Sequence, residues 1–301
     1  MDLNSSILVG LLGYFGAWGL IYLQKFTRSL QDPPGSTYLT SGSEQFHWKY
    51  PTFHSVAKNQ LEGRLPSNIG VILPNLLEFY GGGNKFSGPI PVSFSNASGL
   101  QKLDLSSNNF TGFVPVELGT LRGLYILNLE FNQLGSGTRE ASDLNVITHL
   151  INCTSLKALS LAGNRLSGTL PNSVANLSTQ LKSLLLGGNL IHGSIPIGIE
   201  NLINLTNLGL ERNLLSDGIP IGIGKLQNLN FLYLRNNNFS GKIPFSLGNL
   251  IPLLYLRMDG NSLEGSILQV LETVKIYLSC GLVQISSAVT YQNNSLVYPH
   301  Y

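Results

Sequence analysis

Hydrophobic side chains recur at alternate positions in short runs along most of this chain. Leu103 and Leu105, for example, alternate with the polar residues Lys102, Asp104 and Ser106. Successive side chains of a β-strand point to opposite faces, so this run predicts a short strand with its leucines in a core and its polar residues outward. Similar runs return about every 24 residues, which predicts parallel strands stacked coil upon coil.

The period is clearest when the segment from Leu205 is aligned with the segment from Leu229, because their leucines and prolines then coincide at an offset of 24 residues. An asparagine follows each leucine run, where the chain must turn out of the strand. We expect its amide to be buried and to bond backbone groups that the turn leaves unpaired. These ladder asparagines are Asn84, Asn108, Asn132, Asn164, Asn189, Asn213, Asn237 and Asn261, at steps of 24 residues except one of 32 and one of 25.

Each unit then continues into a Gly-x-Ile-Pro segment, as from Gly241 to Pro244. Proline fixes its own φ angle and needs no hydrogen-bond donor, while the isoleucine returns an apolar side chain to the core. This half of the coil is therefore predicted to be irregular or 3-10 helical and to form the convex side. One coil buries too little apolar surface to fold by itself, so each coil requires neighbours.

Composition excludes several classes of function. Charged residues make up 11% of the chain and the net charge is +2, so no strong field favours nucleic acid. The two cysteines, Cys153 and Cys280, exclude a cysteine-based zinc site, and some five coils between them argue against a disulfide. The histidines show no metal-ligand spacing. The sequence predicts no metal, no cofactor and no nucleic-acid partner.

The unit L-x-x-L-x-L-x-x-N-x-L, followed by Gly-x-Ile-Pro-x-x-Leu-Gly-x-Leu, resembles the plant-specific leucine-rich repeat of receptor-like kinase ectodomains. The resemblance covers residues 59–271. It implies an α/β repeat fold, namely a leucine-rich repeat solenoid with a curved parallel β-sheet on its concave face and an irregular or 3-10 convex side. It also implies an extracellular recognition module of a cell-surface receptor.

Three segments make the resemblance narrower. They run from Leu129 to Gly137, from Asp143 to Leu156 and from Asn176 to Leu181, and they are similar to the receptor-kinase subfamily of the flagellin, elongation-factor and rice bacterial-blight resistance receptors. The step of 32 residues between two ladder asparagines is part of this likeness. The resemblance implies defence signalling, a peptide, protein or glycan ligand, and a kinase co-receptor as a further partner.

The chain departs from this family in its flanks. No paired-cysteine cap precedes the first unit, no long apolar span follows the last, and no kinase motif such as H-R-D or D-F-G occurs in the sequence. We therefore expect a truncated receptor that is not itself an enzyme. Its expected parts are an apolar signal or anchor segment at 1–30, an irregular flank at 31–58, about nine repeats at 59–271 and an out-of-frame tail at 272–301.

The N-terminal apolar run extends from Ile7 to Leu23 without a charge, at the lower limit of length for a membrane span. It fits a cleaved signal peptide, a retained anchor or a mispredicted first exon. A retained anchor followed by Lys25 and Arg28 would place the repeats in the cytoplasm, whereas the repeats of the family are extracellular. We predict membrane association through residues 7–23 and extracellular repeats, on the cell membrane or secreted.

Glycosylation sequons favour the extracellular location. Two of them begin at Asn4 and Asn293, near the ends of the chain. The others are predicted glycosylation sites within the repeats: Asn96, Asn109, Asn152, Asn176, Asn204 and Asn238. Their number is a modest excess over chance.

Side chains at outward strand positions do not pack in the core. These positions are therefore the expected ligand-binding positions of an open solenoid. In the later repeats they hold aromatic and arginine residues, which are frequent anchors of protein and peptide interfaces. A second, smaller group lies in the earlier repeats. The predicted ligand-binding residues of the concave face are Tyr80, Glu130, Phe131, Glu211, Arg212, Phe231, Tyr233, Arg235, Tyr255, Arg257 and Asp259.

Two functions of different class fit this sequence. The first is ligand recognition by a receptor-like kinase ectodomain. The alternative is a soluble inhibitor that resembles the plant proteins which block microbial polygalacturonases and use the same repeat. A direct inhibition assay with such enzymes distinguishes the two. Neither function requires a catalytic residue in this chain.

Overall fold

The computed structural model describes residues 53–138 and 142–265. In this part of the chain nine parallel strands, one from each coil, form a single sheet in chain order. Numbered along the chain, they are β1 (Phe53–Ser55), β3 (Glu78–Tyr80), β5 (Lys102–Asp104), β7 (Ile126–Asn128), β9 (Ala158–Ser160), β11 (Ser183–Leu185), β13 (Asn207–Gly209), β15 (Phe231–Tyr233) and β17 (Tyr255–Arg257). The predicted leucine-rich repeat solenoid is confirmed.

A second set of strands follows the ladder asparagines, in the half of the coil for which the sequence predicts irregular structure. They form sheets of four, three and two strands. The strands are β2 (Glu62–Arg64), β4 (Lys85–Pro89), β6 (Asn109–Gly112), β8 (Gln133–Leu134), β10 (Ser167–Thr169), β12 (Leu190–Gly193), β14 (Leu214–Leu215), β16 (Ser240–Lys242) and β18 (Ser262–Glu264). Many of their residues are glycine, serine or lysine, which have weak strand propensity, so their pairing follows from the stacking of coils.

The 3-10 helices predicted for the convex side are present in six coils, each directly after a proline. They span Val92–Asn96, Val116–Thr120, Asn172–Asn176, Ile197–Asn201, Ile221–Lys225 and Phe245–Asn249. Two other coils have short α-helices at this place, α1 (Ile69–Ile72) and α2 (Asn145–Leu150). Helix α2 lies in the longer repeat, where 32 residues separate the ladder asparagines Asn132 and Asn164.

Inward side chains of all coils form one continuous core. Leucines of the large sheet such as Leu103, Leu127 and Leu232 are fully buried, while the residues that alternate with them face outward. Within the core Phe79 packs against Phe94, with 5.5 Å between ring centroids. Because every coil is covered by the next one, burial depends on the whole stack.

All eight predicted ladder asparagines turn inward and bond the backbone. Asn213 is typical: its Nδ2 donates to the carbonyl oxygens of Leu186, Leu210 and Glu211, and its Oδ1 accepts from the backbone N–H of Ile191. Each amide thus joins its own coil to the preceding one. Seven of the eight are buried and Asn261 is half-buried.

The residue before each ladder asparagine has a left-handed backbone, with φ between 52° and 71°. Glycine occupies this position in four coils. The other coils place a side chain there at a steric cost, since only glycine adopts this region freely. These residues are Ser107, Phe131, Arg212 and Asn236, and Lys58 has the same conformation before Asn59.

The stack begins earlier than the sequence predicts. Strand β1 lies in residues 31–58, for which the sequence predicts an irregular flank, yet it pairs with β3. Val56 packs against the core in the place of a leucine. Asn59 donates to the carbonyl oxygens of Val56 and Ala57 at 2.9 Å, as a ladder asparagine does. The first coil is not recognisable from the hydrophobic pattern, because position 54 is a histidine where the later coils have leucine or phenylalanine.

Several predictions about the ends of the chain lie outside the described residues. They concern the apolar run at 7–23, the tail at 272–301 and Cys280. Within residues 53–138 and 142–265, none of the helices has the length and apolar character needed to cross a membrane.

Candidate functional site

The outward side of the nine-stranded sheet is called the open face here. Its side chains stand in columns, because the strands are parallel and in register. Phe231 is aligned with Asn207 on one side and with Tyr255 on the other, and Tyr233 is aligned with Gly209 and Arg257. Residues about 24 positions apart in the chain are therefore neighbours on this face.

Three aromatic rings lie together at the C-terminal end of the open face. Phe231 and Tyr255 are stacked with ring centroids 5.2 Å apart and planes inclined by 10°. Phe231 also faces Tyr233, at 6.3 Å and 29°. Tyr255 is 39% exposed and the other two rings are half-buried. Burial, and then the negative charge of Glu211, raise the pKa of Tyr233.

An ion-pair network borders these rings. Arg257 Nε donates to Asp259 Oδ1 at 3.0 Å, and Arg235 Nε lies 3.4 Å from Asp259 Oδ2. One carboxylate thus holds two guanidinium groups, each of which has five N–H donors. We call the whole set the aromatic–arginine cluster: Phe231, Tyr233, Arg235, Tyr255, Arg257 and Asp259.

In the middle of the open face most outward strand positions hold small side chains. Strand β9 presents Ala158 and Ser160, β11 presents Ser183 and Leu185, and β13 presents Asn207 and Gly209. Where the side chains are small, a backbone of another chain can approach the sheet closely.

A lysine-centred group occupies the N-terminal end of the open face. Lys102 Nζ lies 3.0 Å from Glu78 Oε1, 5.3 Å from the ring centroid of Tyr125 and 5.8 Å from that of Tyr80. Tyr125, then Tyr80 and Glu78, raise the pKa of Lys102. Lys157 faces the Tyr125 ring from the next coil at 5.7 Å. Glu78, Lys102 and Tyr125 are not among the residues predicted from the sequence, although the 24-residue register of the early coils places them on this face.

The structure brings together some predicted ligand-binding residues and separates others. The six residues of the aromatic–arginine cluster lie side by side. Tyr80 belongs to the lysine-centred group, two strands away from Glu130, whose Oε2 accepts a hydrogen bond from Ser160 Oγ at 2.8 Å. Tyr80 and Glu130 therefore belong to separate groups.

Phe131 and Arg212 lie at the rim of the open face instead of on strands. Both occupy the left-handed position before a ladder asparagine. Phe131 is 61% exposed, and its ring covers Gly163. A side chain at 163 would collide with this ring, because its Cβ would lie 2.5 Å from Phe131 Cδ1. Arg212 is exposed as well. The left-handed turn itself recurs before every ladder asparagine, so what distinguishes Phe131 is its exposed ring.

Residues 53–138 and 142–265 contain no group of three or more histidine, cysteine, aspartate or glutamate residues that could hold a metal ion. Cys153 is a free, buried thiol, and burial raises its pKa to about 11, so it stays protonated and unreactive near neutral pH.

Family profiles for the leucine-rich repeat match residues 83–134, 155–177 and 228–250. A probable LRR receptor-like serine/threonine-protein kinase of Arabidopsis thaliana is 58% identical over 81 residues, which are 27% of this chain and 8% of the relative. Receptor kinase-like protein Xa21 of Oryza sativa subsp. japonica is 42% identical over 73 residues, 24% of this chain and 7% of that protein. The matched segments thus span less than a tenth of either relative.

Solved structures of plant receptor ectodomains share the fold. The ectodomain of the Arabidopsis thaliana membrane receptor kinase GASSHO1/SCHENGEN3, in complex with CASPARIAN STRIP INTEGRITY FACTOR 2, matches 73% of this chain with 32% identity and a TM-score of 0.68. The Arabidopsis receptor kinase HAESA, in complex with the peptide hormone IDA and the co-receptor SERK1, matches 70% with 34% identity and a TM-score of 0.63. The match covers 26% of the first receptor chain and 33% of the second.

Proposed function

We propose that this chain, a leucine-rich repeat protein of the plant receptor-kinase ectodomain type, recognises a peptide ligand on its open face and acts in defence signalling at the cell surface. The observation that carries the proposal is the aromatic–arginine cluster. It presents three adjoining rings and two guanidinium groups from two neighbouring coils. Aromatic and arginine side chains of this kind dominate the binding energy of protein and peptide interfaces.

The dimensions of the open face suit an extended peptide. Nine strands about 4.8 Å apart span roughly 40 Å, which about 12 extended residues at about 3.3 Å each would cover. The small side chains in the middle of the face let a peptide backbone approach, and the rings at the C-terminal end offer a rigid apolar surface at low entropic cost. A peptide can contact both parts at once.

The comparisons support the partners and the location of this proposal. HAESA is bound to a peptide hormone and to a co-receptor, and GASSHO1/SCHENGEN3 is a membrane receptor kinase. We extend a peptide ligand, a kinase co-receptor and an extracellular location to this chain. The defence role is supported by the likeness of residues 143–156 to the receptor subfamily named above. The kinase activity of full-length receptors would belong to a part that this sequence does not contain.

The test uses the full 301-residue chain and a phage library of random peptides about 12 residues long. We expect selection to enrich peptides that bind the chain with micromolar or tighter affinity. Replacing Tyr233 and Tyr255 together by alanine should raise their Kd at least about thirtyfold, since the loss of a central aromatic anchor costs about 2 kcal/mol or more. Fluorescence anisotropy with the labelled peptides measures the change.

The matched control replaces Phe245 and Phe113 by alanine. Both are more than 60% exposed, but they lie away from the open face, one in a 3-10 helix and one after β6. This variant should bind the peptides as the unchanged chain does. Failure to enrich any peptide above an unrelated protein, or full binding by the doubly substituted tyrosine variant, would disprove recognition at this surface.

Glycosylation gives an independent prediction for the extracellular location. The six sequon asparagines within the repeats are all exposed, and none lies at an outward position of the nine-stranded sheet. We expect the chain secreted from plant cells to carry N-glycans that leave the open face uncovered. Glycosidase treatment should lower its mass, and a variant with all six replaced by glutamine should lose most of that change. An unchanged mass in gel electrophoresis would contradict the location.

A further inference from the structure

An exposed apolar row runs along the convex side, across the last three 3-10 helices. It consists of the first residue of each helix, namely Ile197, Ile221 and Phe245, which are 76%, 64% and 78% exposed. The three helices lie side by side, so these side chains are one coil apart. In the coil before them the same position holds the polar residue Asn172. We call the three residues the convex row, because adjacent apolar side chains form a patch that isolated ones do not.

The predicted glycans leave the convex row uncovered. In two earlier coils a sequon asparagine, Asn96 or Asn176, is the last residue of the 3-10 helix, where a bulky glycan would cover the convex side. The sequon at Asn204 lies beyond its helix, in the turn toward the nine-stranded sheet. In the coils of the convex row the last helical position begins no sequon and holds Asn201, Lys225 and Asn249. This part of the convex side therefore stays open to another protein.

An ion pair lies beside the middle of the convex row. The Glu200 carboxylate lies over Gly222 of the next coil, and its Oε1 accepts from Lys225 Nζ at 2.8 Å. The three helices carry no other charged residue. One charge of each sign therefore stands beside the row, so a second copy of this surface is not repelled. Each carboxylate can meet the ammonium group of the other copy, which is the complementarity that protein interfaces use.

The convex row is matched in spacing by a second copy of itself. In a two-fold pair centred on Ile221, Ile197 of one copy faces Phe245 of the other, because the three positions are one coil apart. At about 200 Å² for a fully exposed large side chain, the row exposes roughly 400 Å². Two copies would bury roughly 800 Å² through their rows, which is less than a permanent dimer needs and suits a weak, reversible one.

We propose that the convex row is the contact surface of a weak homodimer of this chain. Two copies pair about Ile221, and their Glu200–Lys225 ion pairs meet beside the contact. The nine-stranded sheet lies on the other side of each coil, so both open faces stay accessible in the pair. The inference is independent of the ligand that the open face binds.

Sedimentation velocity of the full chain between about 1 and 200 µM measures the self-association, a range that brackets a weak dimer. The variant Ile221→Lys places an ammonium group of each copy at the centre of the contact, and it should raise the dissociation constant at least about tenfold. The control Phe113→Lys makes the same change at a residue that is 64% exposed and lies after β6, outside the 3-10 helices. Circular dichroism checks that each variant is folded. Association through the apolar run at 7–23 would persist in every variant.

A charge exchange tests whether the row pairs with itself. Glu200→Lys and Lys225→Glu each leave two like charges beside the row, so each variant alone should dimerise more weakly than the unchanged chain. An equimolar mixture of the two should recover the association, because the positive pair of one copy then meets the negative pair of the other. A chain that stays monomeric at about 200 µM would show that no second copy occupies the row. An equal loss in Phe113→Lys, unchanged association in Ile221→Lys, or no recovery in the mixture would also overturn the homodimer.

Discussion

Replacing Asn213 by alanine is expected to lower the free energy of unfolding by about 4 kcal/mol, because at least three buried backbone groups lose their partner at about 1–3 kcal/mol each. The carbonyl oxygens of Leu186 and Leu210 accept from its Nδ2 at 3.0 and 3.1 Å, and the N–H of Ile191 donates to its Oδ1 at 3.0 Å. Alanine can form none of these bonds. Because its methyl group is smaller than the asparagine side chain, the substitution also leaves a cavity. The coil cannot replace the amide with water, since Asn213 is buried.

Urea unfolding followed by circular dichroism measures the effect, and hydrogen exchange localises it. The amide of Ile191 should lose protection first, together with the coils on either side, since each coil is stable only with its neighbours. The control is Asn172→Ala at an exposed position of a 3-10 helix, which should change stability by less than about 0.5 kcal/mol. Equal stability of the two variants would show that the ladder amides contribute little to the fold.

The sequence predicts the large sheet well because one physical requirement, burial of alternate side chains, repeats with a fixed period. The same requirement places Leu208 beneath Leu232 and aligns the ladder asparagines. It fails where no inward leucine marks the frame, as in the first coil with Val56. It also fails for the second set of strands, whose backbone pairing needs no apolar pattern and depends on the neighbouring coils.

The candidate site could be predicted only in part, for a related reason. Register along the chain is enough to place Phe231 next to Tyr255, and the sequence groups both correctly on one face. The direction in which a long side chain leans is decided by its neighbours. Glu211 lies over Gly187 only because the glycine leaves that space free, and Ser160 attracts Glu130 by a hydrogen bond. No period in the sequence encodes such contacts.

A buried carboxylate organises the long step between the ladder asparagines Asn132 and Asn164. Asp143 is 4% exposed, and its Oδ2 accepts from the backbone N–H and hydroxyl of Ser136 at 3.1 Å and from the N–H of Ser167 at 2.9 Å. It thus joins the chain after β8 to the start of β10, where the four-stranded sheet ends and the three-stranded sheet begins. This carboxylate takes the place of a strand-to-strand bond across the break.

The variant Asp143→Ala should therefore lose about 3 kcal/mol of unfolding free energy, since it leaves two backbone N–H groups without an acceptor in a buried place at about 1–3 kcal/mol each. Faster hydrogen exchange should appear at Ser136 and Ser167 before the rest of the stack opens. Asp143→Asn keeps one carboxamide oxygen as an acceptor and should lose about half as much. Glu117→Ala, at an exposed 3-10 position, serves as the control. Unchanged exchange at both serines in Asp143→Ala would mean that the helix α2 and its core contacts alone hold the long step in place.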